Sequence, residues 1–456
     1  METLQIHNRN YLLAFLIAMA IIVIIQNPVK AQTIEVSGKV LNKEAKMQTI
    51  NSIADLLNNN YIFPETAKKM EEYLSSKMKD GAYDKISDPM AFAEQMTKDL
   101  QEISKDGHIR VGYSPQQVAE MRDMESKQIS PEEQDRIFYE RLLGDNFGFK
   151  KVEQLPGNIG YIDFRFFGPR EMIKEKVATV MAFVENCDAL IFDMRYNGGG
   201  DPTGIQLICS YLFGEEPVHL NDLYFRPTDK LEEFWTLKEI KGKRMPDVPV
   251  YVLTSSYTFS GAEEFSYNLK NLDRATLIGQ TTGGGAHPGG PQVVNDDFIL
   301  NVPTGRAINP YTKTNWEGTG VSPHIDLPSN KALTKAHILA LEEINLSLQD
   351  DAAKKRNEFM IESLNAVLNA PEISSDILSS YAGTYGERTI YFENGRLYYQ
   401  RGKRQINEMT PMNEDTFMIK EIPFFRVKFD KDSSGKVTGI TGIYDNGTTD
   451  NTPKTN

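Results

Sequence analysis

The feature that most constrains the fold is a series of short apolar runs within residues 151–330. The runs read NIGYIDFRFF, ALIFDMR, VPVYVLTSS, ATLIGQTT and DFILNVPT, and they are typical of β-strands. Stretches such as MIKEKVATVMAFVE and GIQLICSYLF lie between several of them and repeat apolar residues at the spacing of a helix. Alternating strands and helices predict an α/β core in which the sheet is layered against helices.

The sequence on either side of this core has a different pattern. Residues 40–115 carry helical patterns interrupted by prolines and predict a helical N-terminal subdomain, whereas 116–150 are highly charged and predict a connecting segment. Residues 331–370 are rich in Ala, Leu, Glu and Lys and predict a linker helix. Within residues 371–450, apolar and polar residues alternate in runs that are separated by turns such as ENG. We therefore expect a small C-terminal antiparallel β domain.

Residues 1–31 predict export. The uncharged run YLLAFLIAMAIIVII follows Arg9 and precedes Ala31, as in a secretory signal peptide that is cleaved after a small residue. The alternative is an uncleaved N-terminal membrane anchor. Either segment would deliver the mature chain to a periplasmic or extracellular compartment.

Composition argues against several classes of protein. A formal net charge of -13 makes electrostatic binding of nucleic acid a poor hypothesis. The two cysteines, Cys187 and Cys209, do not form a disulfide scaffold, and a single bridge and two buried thiols are both open. The chain has neither an HExxH motif nor paired Cys/His spacing, so we expect no metal site.

The stretch SSYTFSGAEEF places a hydroxyl group between a predicted strand and a predicted helix. A sharp turn there would expose Ser260 as a nucleophile, and the N–H of Gly261 would supply half of an oxyanion hole. The structural alternative is that Ser260 is an N-cap residue and that Glu263 completes a capping box.

A second glycine-rich turn follows another core strand in ALIFDMRYNGGGDPTG. Glycines at the carboxyl end of a strand allow a backbone N–H to approach a ligand closely. The turn has neither the Lys-Ser/Thr of a P-loop nor GxGxxG spacing, so phosphate binding is not favoured. It is a candidate for the second oxyanion donor, with a structural tight turn as the alternative.

A serine nucleophile also requires a base and an acceptor that orients the base. Two of the six histidines have a suitable context: His108 in SKDGHIRVGY, and His287 after a run of glycines. Glu317, in the loop NWEGTGVSP, is a candidate acceptor.

Six motifs occur in the order DGHIRV, DMRYNGGG, YTFSGAEEF, LIGQTTGGGAHPGG, VPTGRAINP and NWEGTGVSPHID. Over about residues 47–327 the chain therefore resembles the C-terminal (tail-specific) processing peptidase family. It is most similar to the branch that includes the tricorn core protease and the interphotoreceptor retinoid-binding protein modules. The resemblance implies a ClpP/crotonase-like core, serine endopeptidase activity on peptide or protein substrates, and no cofactor.

The resemblance also implies the nucleophile and the oxyanion hole. Ser260 matches the family nucleophile. The N–H of Gly261 matches one donor to the oxyanion, and the turn that contains Gly198 and Gly199 matches the other.

For the base, the resemblance implies His108, with Glu317 orienting its ring. The main branch of the family uses a lysine instead, but Gly285 stands where that lysine would be expected. A Ser/Lys dyad is therefore disfavoured. Gly107 precedes His108, where this branch can have a hydroxyl residue, so that supporting hydrogen bond is in doubt.

Three further residues are predicted to contact the substrate: Asn197, Gly284 and His287. The alternative function is a non-catalytic binding protein for apolar ligands or peptide tails on the same scaffold. The presence of all three predicted catalytic side chains argues for the peptidase. Acyl transfer on a thioester is disfavoured because CoA substrates are cytoplasmic and this chain is predicted to be exported.

Overall fold

The computed structural model describes residues 40–126 and 130–455, so the predicted export segment lies outside the described residues. The helices α1 to α11 are Lys43–Asn60, Pro64–Lys79, Pro89–Ser104, Pro115–Ser126, Pro131–Gly144, Arg170–Val184, Pro202–Leu212, Gly261–Asn271, Ser329–Ser347, Asp351–Leu368 and Ser375–Ser380. The first twelve strands, β1 to β12, are Arg110–Tyr113, Phe149–Leu155, Ile159–Phe164, Ala189–Asp193, His219–Phe225, Lys230–Trp235, Val250–Thr254, Thr276–Gly279, Gly289–Val293, Phe298–Pro303, Gly305–Ile308 and Ile325–Asp326. The last eight, β13 to β20, are Gly383–Tyr385, Arg388–Glu393, Arg396–Arg401, Asn407–Pro411, Thr416–Ile419, Phe425–Lys431, Val437–Tyr444 and Thr449–Pro453.

The centre of the molecule is a six-stranded sheet with the order β12-β8-β7-β4-β3-β2. Its neighbouring strands are parallel except for β2, which pairs with β3 in the antiparallel sense at one edge. Helices cover both faces: Leu190 and Phe192 of β4 pack in the cluster that includes α6, α7 and α8, whereas Ala189 and Ile191 pack against α9. Two buried faces explain why these strands are continuously apolar. The predicted α/β fold class is confirmed.

The helical N-terminal region is joined to the core through a shared sheet. Helices α1 to α3 bury their apolar side chains against β1 and β10, which belong to a three-stranded antiparallel sheet with the order β1-β10-β9. In this sheet Arg110 pairs with Asn301. The side chain of Asn301 also donates a hydrogen bond to the carbonyl of His108 (2.7 Å). The pairing therefore fixes the segment around His108 against the core.

The region after the core differs from the single linker helix that the composition predicts. It forms two helices, α9 and α10, because the chain is extended at Leu348 and the side chain of Asp350 caps the second helix by accepting the N–H groups of Ala352 and Ala353 (2.9 and 3.2 Å). Helix α9 packs on the central sheet as a brace.

The C-terminal domain is an eight-stranded antiparallel sheet in which β13 to β20 pair in sequence order. It has its own core, in which the rings of Tyr381 and Phe429 stack with centroids 4.0 Å apart. Arg426 fastens this domain to α10, since its guanidinium group lies over the ring of Phe359 and donates to the hydroxyl of Ser363 (3.0 Å).

Both cysteines are free and buried, which decides between the two alternatives in favour of thiols. Burial raises the pKa of Cys187 and of Cys209 above the ordinary range. Because a thiolate is the reactive form, neither residue is suited to act as a nucleophile. Within the described residues, no helix is long and apolar enough to cross a membrane.

Glu264, on the buried side of α8, allows a prediction about stability. Burial raises the pKa of this carboxyl group to about 8. The folded state therefore keeps a proton that the unfolded state releases above its ordinary pKa, so we expect the free energy of unfolding to fall as pH rises from about 4.5 to about 8. The contribution is at most about 1.4 kcal/mol per pH unit. In Glu264→Gln this part of the slope should disappear, as measured by urea unfolding at pH 5, 6.5 and 8.

The matched control is Glu358→Gln, which changes an exposed glutamate on α10. Its unfolding should keep the pH dependence of the unsubstituted protein. An unchanged slope in Glu264→Gln would show that Glu264 is ionised in the folded state at all three pH values.

Candidate active site

The site lies where two neighbouring parallel strands, β4 and β7, reach their carboxyl ends. Two loops leave the sheet there, and they are bonded to each other. The hydroxyl of Thr258 donates to the carbonyl of Met194 (2.8 Å), and the N–H of Phe259 donates to the carbonyl of Asn197 (3.1 Å). The predicted nucleophile turn and the predicted oxyanion turn are therefore one unit, in the position where open α/β sheets bind ligands.

Ser260 stands at the junction of the loop after β7 with α8, in an unusual backbone conformation. Its φ of 53° and ψ of -123° lie in the region that favours glycine, which costs about 1–3 kcal/mol. The side chain is partly buried. The carboxylate of Glu263 accepts the N–H of Ser260 (2.9 Å), as in a capping box. A helix-capping role and an exposed nucleophile are thus compatible in this geometry.

Glu263 does more than cap the helix. Its buried carboxylate also accepts the hydroxyl of Thr282 (2.5 Å) and the N–H groups of Gly284 (2.6 Å) and Gly285 (2.8 Å). Burial raises the pKa of Glu263 to about 7, against the opposing effect of these hydrogen bonds. The sequence indicated only the capping interaction, because the other partners lie in a loop about twenty residues later in the chain.

Gly199 lies in close contact with the nucleophile turn. A Cβ atom on Gly199 would lie 2.6 Å from the nitrogen of Gly261 and 2.9 Å from the Cβ of Ser260. The φ of Gly199 is +103°, which also favours glycine. The two turns that contain the predicted oxyanion donors are therefore in direct contact.

The donors of this turn have partners within the protein. The N–H of Gly199 donates to Oδ1 of Asn197 (2.8 Å), and the N–H of Gly198 approaches the carbonyl of Arg165 (3.4 Å). Asn197 is fully buried, and its Nδ2 donates to the carbonyl of Phe164 (2.9 Å). These bonds hold the turn, and contact between Asn197 and a substrate would require them to open.

His108 lies next to the nucleophile turn through Phe259. The centroids of these two rings are 4.6 Å apart. Neither ring nitrogen of His108 has a hydrogen-bond partner among the described residues, although both are buried. Burial lowers the pKa of His108 to about 4, so the imidazole is neutral and has a lone pair available at neutral pH.

The backbone at Gly285 leaves no space for a side chain, and this includes a lysine base. A Cβ atom at this position would lie 2.3 Å from Cζ of Phe259 and 2.6 Å from Cε1 of His108. Any side chain on residue 285 would occupy the space of those two rings. A lysine at position 285 is therefore sterically incompatible with the present positions of His108 and Phe259.

Glu317 lies beside His287 in this structure. Its Oε2 accepts the N–H of Ala286 (2.5 Å) and is 3.3 Å from Nδ1 of His287, whereas its Oε1 is buried without a hydrogen-bond partner among the described residues. Burial, together with the charge of Asp106, raises the pKa of Glu317 to about 7. The predicted acceptor is thus at the site, and it is bonded to the loop that carries His287.

Asp106 is a site residue that the sequence did not single out. Its fully buried carboxylate is 2.8 Å from Nδ1 of His287 and accepts the hydroxyl of Tyr61 (3.1 Å) and the backbone N–H of His108 (2.9 Å). The only signal was its place two residues before His108. It connects the segments of both histidines, which are far apart in sequence.

Comparisons with known proteins agree with the motifs. The family model described as Peptidase family S41 matches residues 158–327, and the model described as the N-terminal domain of Peptidase_S41 in eukaryotic IRBP matches residues 31–143. The tricorn protease of Thermoplasma volcanium is 32% identical over 137 residues, which are 29% of this chain and 12% of that protein. The chain thus spans about an eighth of the length of this curated relative.

Three solved structures that are similar to this chain have low sequence identity to it. A lipoprotein from Streptococcus agalactiae is 17% identical, with 65% of this chain and 96% of that chain covered and a TM-score of 0.41. A putative peptidase from Parabacteroides merdae is 19% identical, with 62% and 90% covered and a TM-score of 0.42. The photosystem II D1 C-terminal processing protease is 14% identical, with 69% and 99% covered and a TM-score of 0.39.

The two family matches follow each other along the chain in the order that the motifs predict, and they confirm the resemblance seen in the sequence. This chain has a Peptidase family S41 domain at residues 158–327, preceded by the family's N-terminal domain at residues 31–143.

Proposed function

We propose that the chain is an exported serine endopeptidase in which Ser260 is the nucleophile. The observation that carries the proposal is the strained turn at Ser260, held at the carboxyl end of the central sheet beside a glycine-rich turn and a neutral histidine. Backbone strain of this kind is retained where the surrounding structure requires it, and it is common at active sites. The Peptidase family S41 domain supports the same activity.

In the first step, Ser260 Oγ attacks the carbonyl carbon of a peptide bond while His108 takes the hydroxyl proton. His108 then gives this proton to the leaving amine, and an acyl-enzyme remains. A water molecule, deprotonated by His108, hydrolyses the ester and restores Ser260. Because burial keeps His108 neutral at neutral pH, it is able to accept the proton in the first step.

The tetrahedral intermediate requires donors at its oxyanion. The N–H of Gly261, at the first position of α8, is one donor, and the turn of Gly198 and Gly199 supplies the other. The contact between Gly199 and Gly261 supports this arrangement. Because the N–H of Gly199 donates to Asn197, substrate binding would exchange that bond for one to the oxyanion. One such donor is worth roughly 3–4 kcal/mol of transition-state stabilisation.

Glu317 is the proposed partner that orients His108. Oε1 of Glu317 and both ring nitrogens of His108 are buried and lack hydrogen-bond partners among the described residues. A bond between them would satisfy one atom of each residue, and buried polar groups strongly favour such pairing. We infer that the catalytic arrangement Ser260–His108–Glu317 closes through this bond when substrate displaces water from the site.

The proposed location is periplasmic or extracellular, on the basis of the apolar N-terminal segment. The proposed substrates are peptides or proteins, with Gly284 and His287 near the acyl group because their loop adjoins Ser260 through Glu263. The second candidate function is the binding of apolar ligands or peptide tails without cleavage. An unreactive Ser260 in a folded protein would favour it.

The nucleophile can be tested with a fluorophosphonate probe, which reacts covalently with activated serines. The full chain should be labelled at Ser260, as identified by peptide mass spectrometry. Ser260→Ala should abolish labelling and reduce cleavage of fluorescent casein by at least about 10³-fold, because no other group replaces the nucleophile. Labelling of a different serine, or casein cleavage by Ser260→Ala at the unsubstituted rate, would exclude this assignment.

The base can be identified by comparing His108→Ala with His287→Ala. We expect His108→Ala to slow labelling of Ser260 by about 10²–10⁴-fold, the usual contribution of a general base. His287→Ala should have a smaller effect, and Glu317→Gln should slow labelling strongly without abolishing it. If labelling were lost in His287→Ala and retained in His108→Ala, His287 would be the base.

The contact between Gly285 and His108 gives an independent test. Gly285→Ala should displace the rings of His108 and Phe259 and slow labelling of Ser260 by about tenfold or more, with little change in the far-UV spectrum. Gly214→Ala is the matched control, since an added Cβ there has no neighbour within 4 Å. Equal labelling rates in the two variants would place His108 outside the reactive arrangement.

A further inference from the structure

Near the proposed nucleophile lies a largely buried group of three side chains that can bind metal ions: Asp106, His287 and Glu317. One donor atom from each residue lies within 4.8 Å of the donors of the other two. Nδ1 of His287 is 2.8 Å from Oδ2 of Asp106 and 3.3 Å from Oε2 of Glu317. The three residues come from three distant parts of the chain, so no spacing in the sequence indicated this group.

The charges of this group are not balanced by a basic side chain. Among the described residues, the ion pairs of Asp106 and Glu317 involve only histidines. Asp106 is fully buried, and the side chain of Glu317 is 14% exposed. Two buried carboxylates without a lysine or arginine partner are costly, and either protons or a divalent cation must neutralise them.

The distances suit a small tetrahedral ion. Zinc binds imidazole nitrogen and carboxylate oxygen at about 2.0–2.2 Å, which places two of its ligand atoms about 3.3 Å apart. The separation of His287 and Glu317 already has this value, and that of His287 and Asp106 must open by about 0.5 Å. Calcium and magnesium prefer oxygen ligands alone, so a nitrogen ligand favours zinc.

His108 lies beside this group, outside the set of donors that are within 4.8 Å of one another, and would become a fourth ligand only through a shift of its side chain. Its Nδ1 is 3.9 Å from Oδ1 of Asp106, and both of its ring nitrogens are buried and lack partners among the described residues. The hydroxyl of Tyr61 donates to Asp106 (3.1 Å), the kind of outer contact that orients a ligating carboxylate. With that shift of His108, the site would offer two nitrogen and two oxygen ligands.

We propose that Asp106, His287 and Glu317, completed by His108, bind one zinc ion that inhibits the peptidase. The binding of zinc requires only this geometry, whereas the inhibition rests on the function proposed above. Zinc on His108 would occupy the lone pair that accepts the proton of Ser260. Zinc on Oε2 of Glu317 would hold this carboxylate at the metal and so oppose the bond from Oε1 to His108. Metal binding and serine catalysis would thus exclude each other, and the metal supplies no chemistry of its own.

The binding of zinc can be measured directly by calorimetry. The full chain, freed of metal with a chelator, is titrated with zinc chloride, and His287→Gln and Asp106→Asn are titrated in the same way. We expect one saturable site that each substitution weakens by at least about tenfold, since even outer contacts of metal sites are worth 10–100-fold in affinity. The melting temperature of each metal-free variant shows whether it is folded.

The matched control is His219→Gln. Its imidazole also pairs with a carboxylate, since Nε2 is 2.6 Å from Oδ1 of Asp222, but its ring is stacked on Trp235 outside the group. Its affinity for zinc should stay within about twofold of that of the unsubstituted chain. The absence of a saturable site, or equal binding by the folded His287→Gln variant, would overturn the proposed metal site.

A second measurement separates the metal site from the proposed function. Stoichiometric zinc should slow fluorophosphonate labelling of Ser260 by at least about tenfold, and a chelator should restore it. Undiminished labelling of the zinc-saturated protein would overturn the inhibition. If the metal-free protein were not labelled at all, the serine mechanism would fail, while the calorimetric result for zinc would still decide the metal site.

Discussion

The hydrogen bonds of the Glu263 carboxylate hold the site together. This group accepts the N–H of Ser260 from the start of α8, and it accepts the hydroxyl of Thr282 and the N–H groups of Gly284 and Gly285 from a distant loop. Peptide dipoles rather than a basic side chain surround it. Because a buried acceptor cannot easily give up such donors, the strained turn at Ser260 and the loop around Gly285 keep a fixed relation.

The N-terminal subdomain provides part of the site itself. Strand β1 pairs with β10, and the side chain of Asn301 bonds to the carbonyl of His108, so the proposed base is held by the core although it comes from another subdomain. Asp106 adds a second connection, since it bonds to the backbone of His108 and to the ring of His287. The position of His108 relative to Ser260 therefore depends on how the subdomain docks.

Local patterns in the sequence were sufficient for the α/β core, the motifs around Ser260 and Gly199, and the family. The contacts of Asp106 and Glu317, and those of Glu263 beyond its capping interaction, could not be predicted from the sequence, because each joins segments whose approach is decided by tertiary packing. Likewise, composition predicted helix between residues 331 and 370, but it did not show that Asp350 starts a second helix. The roles of Ser260, His108 and Glu317 in catalysis remain proposals that the geometry supports.

The crowding around Gly285 has a consequence for how such enzymes diverge. A lysine at this position and the rings of His108 and Phe259 would compete for one volume, because even a Cβ atom comes within 2.3 Å of Phe259. Replacement of the proposed His108 base by a lysine at position 285 would therefore require His108 and Phe259 to move or change as well. A lysine at position 285 and the side chain of His108 would occupy the same volume. A sequence with both residues would lack space for them, and a sequence with neither would lack a proton acceptor.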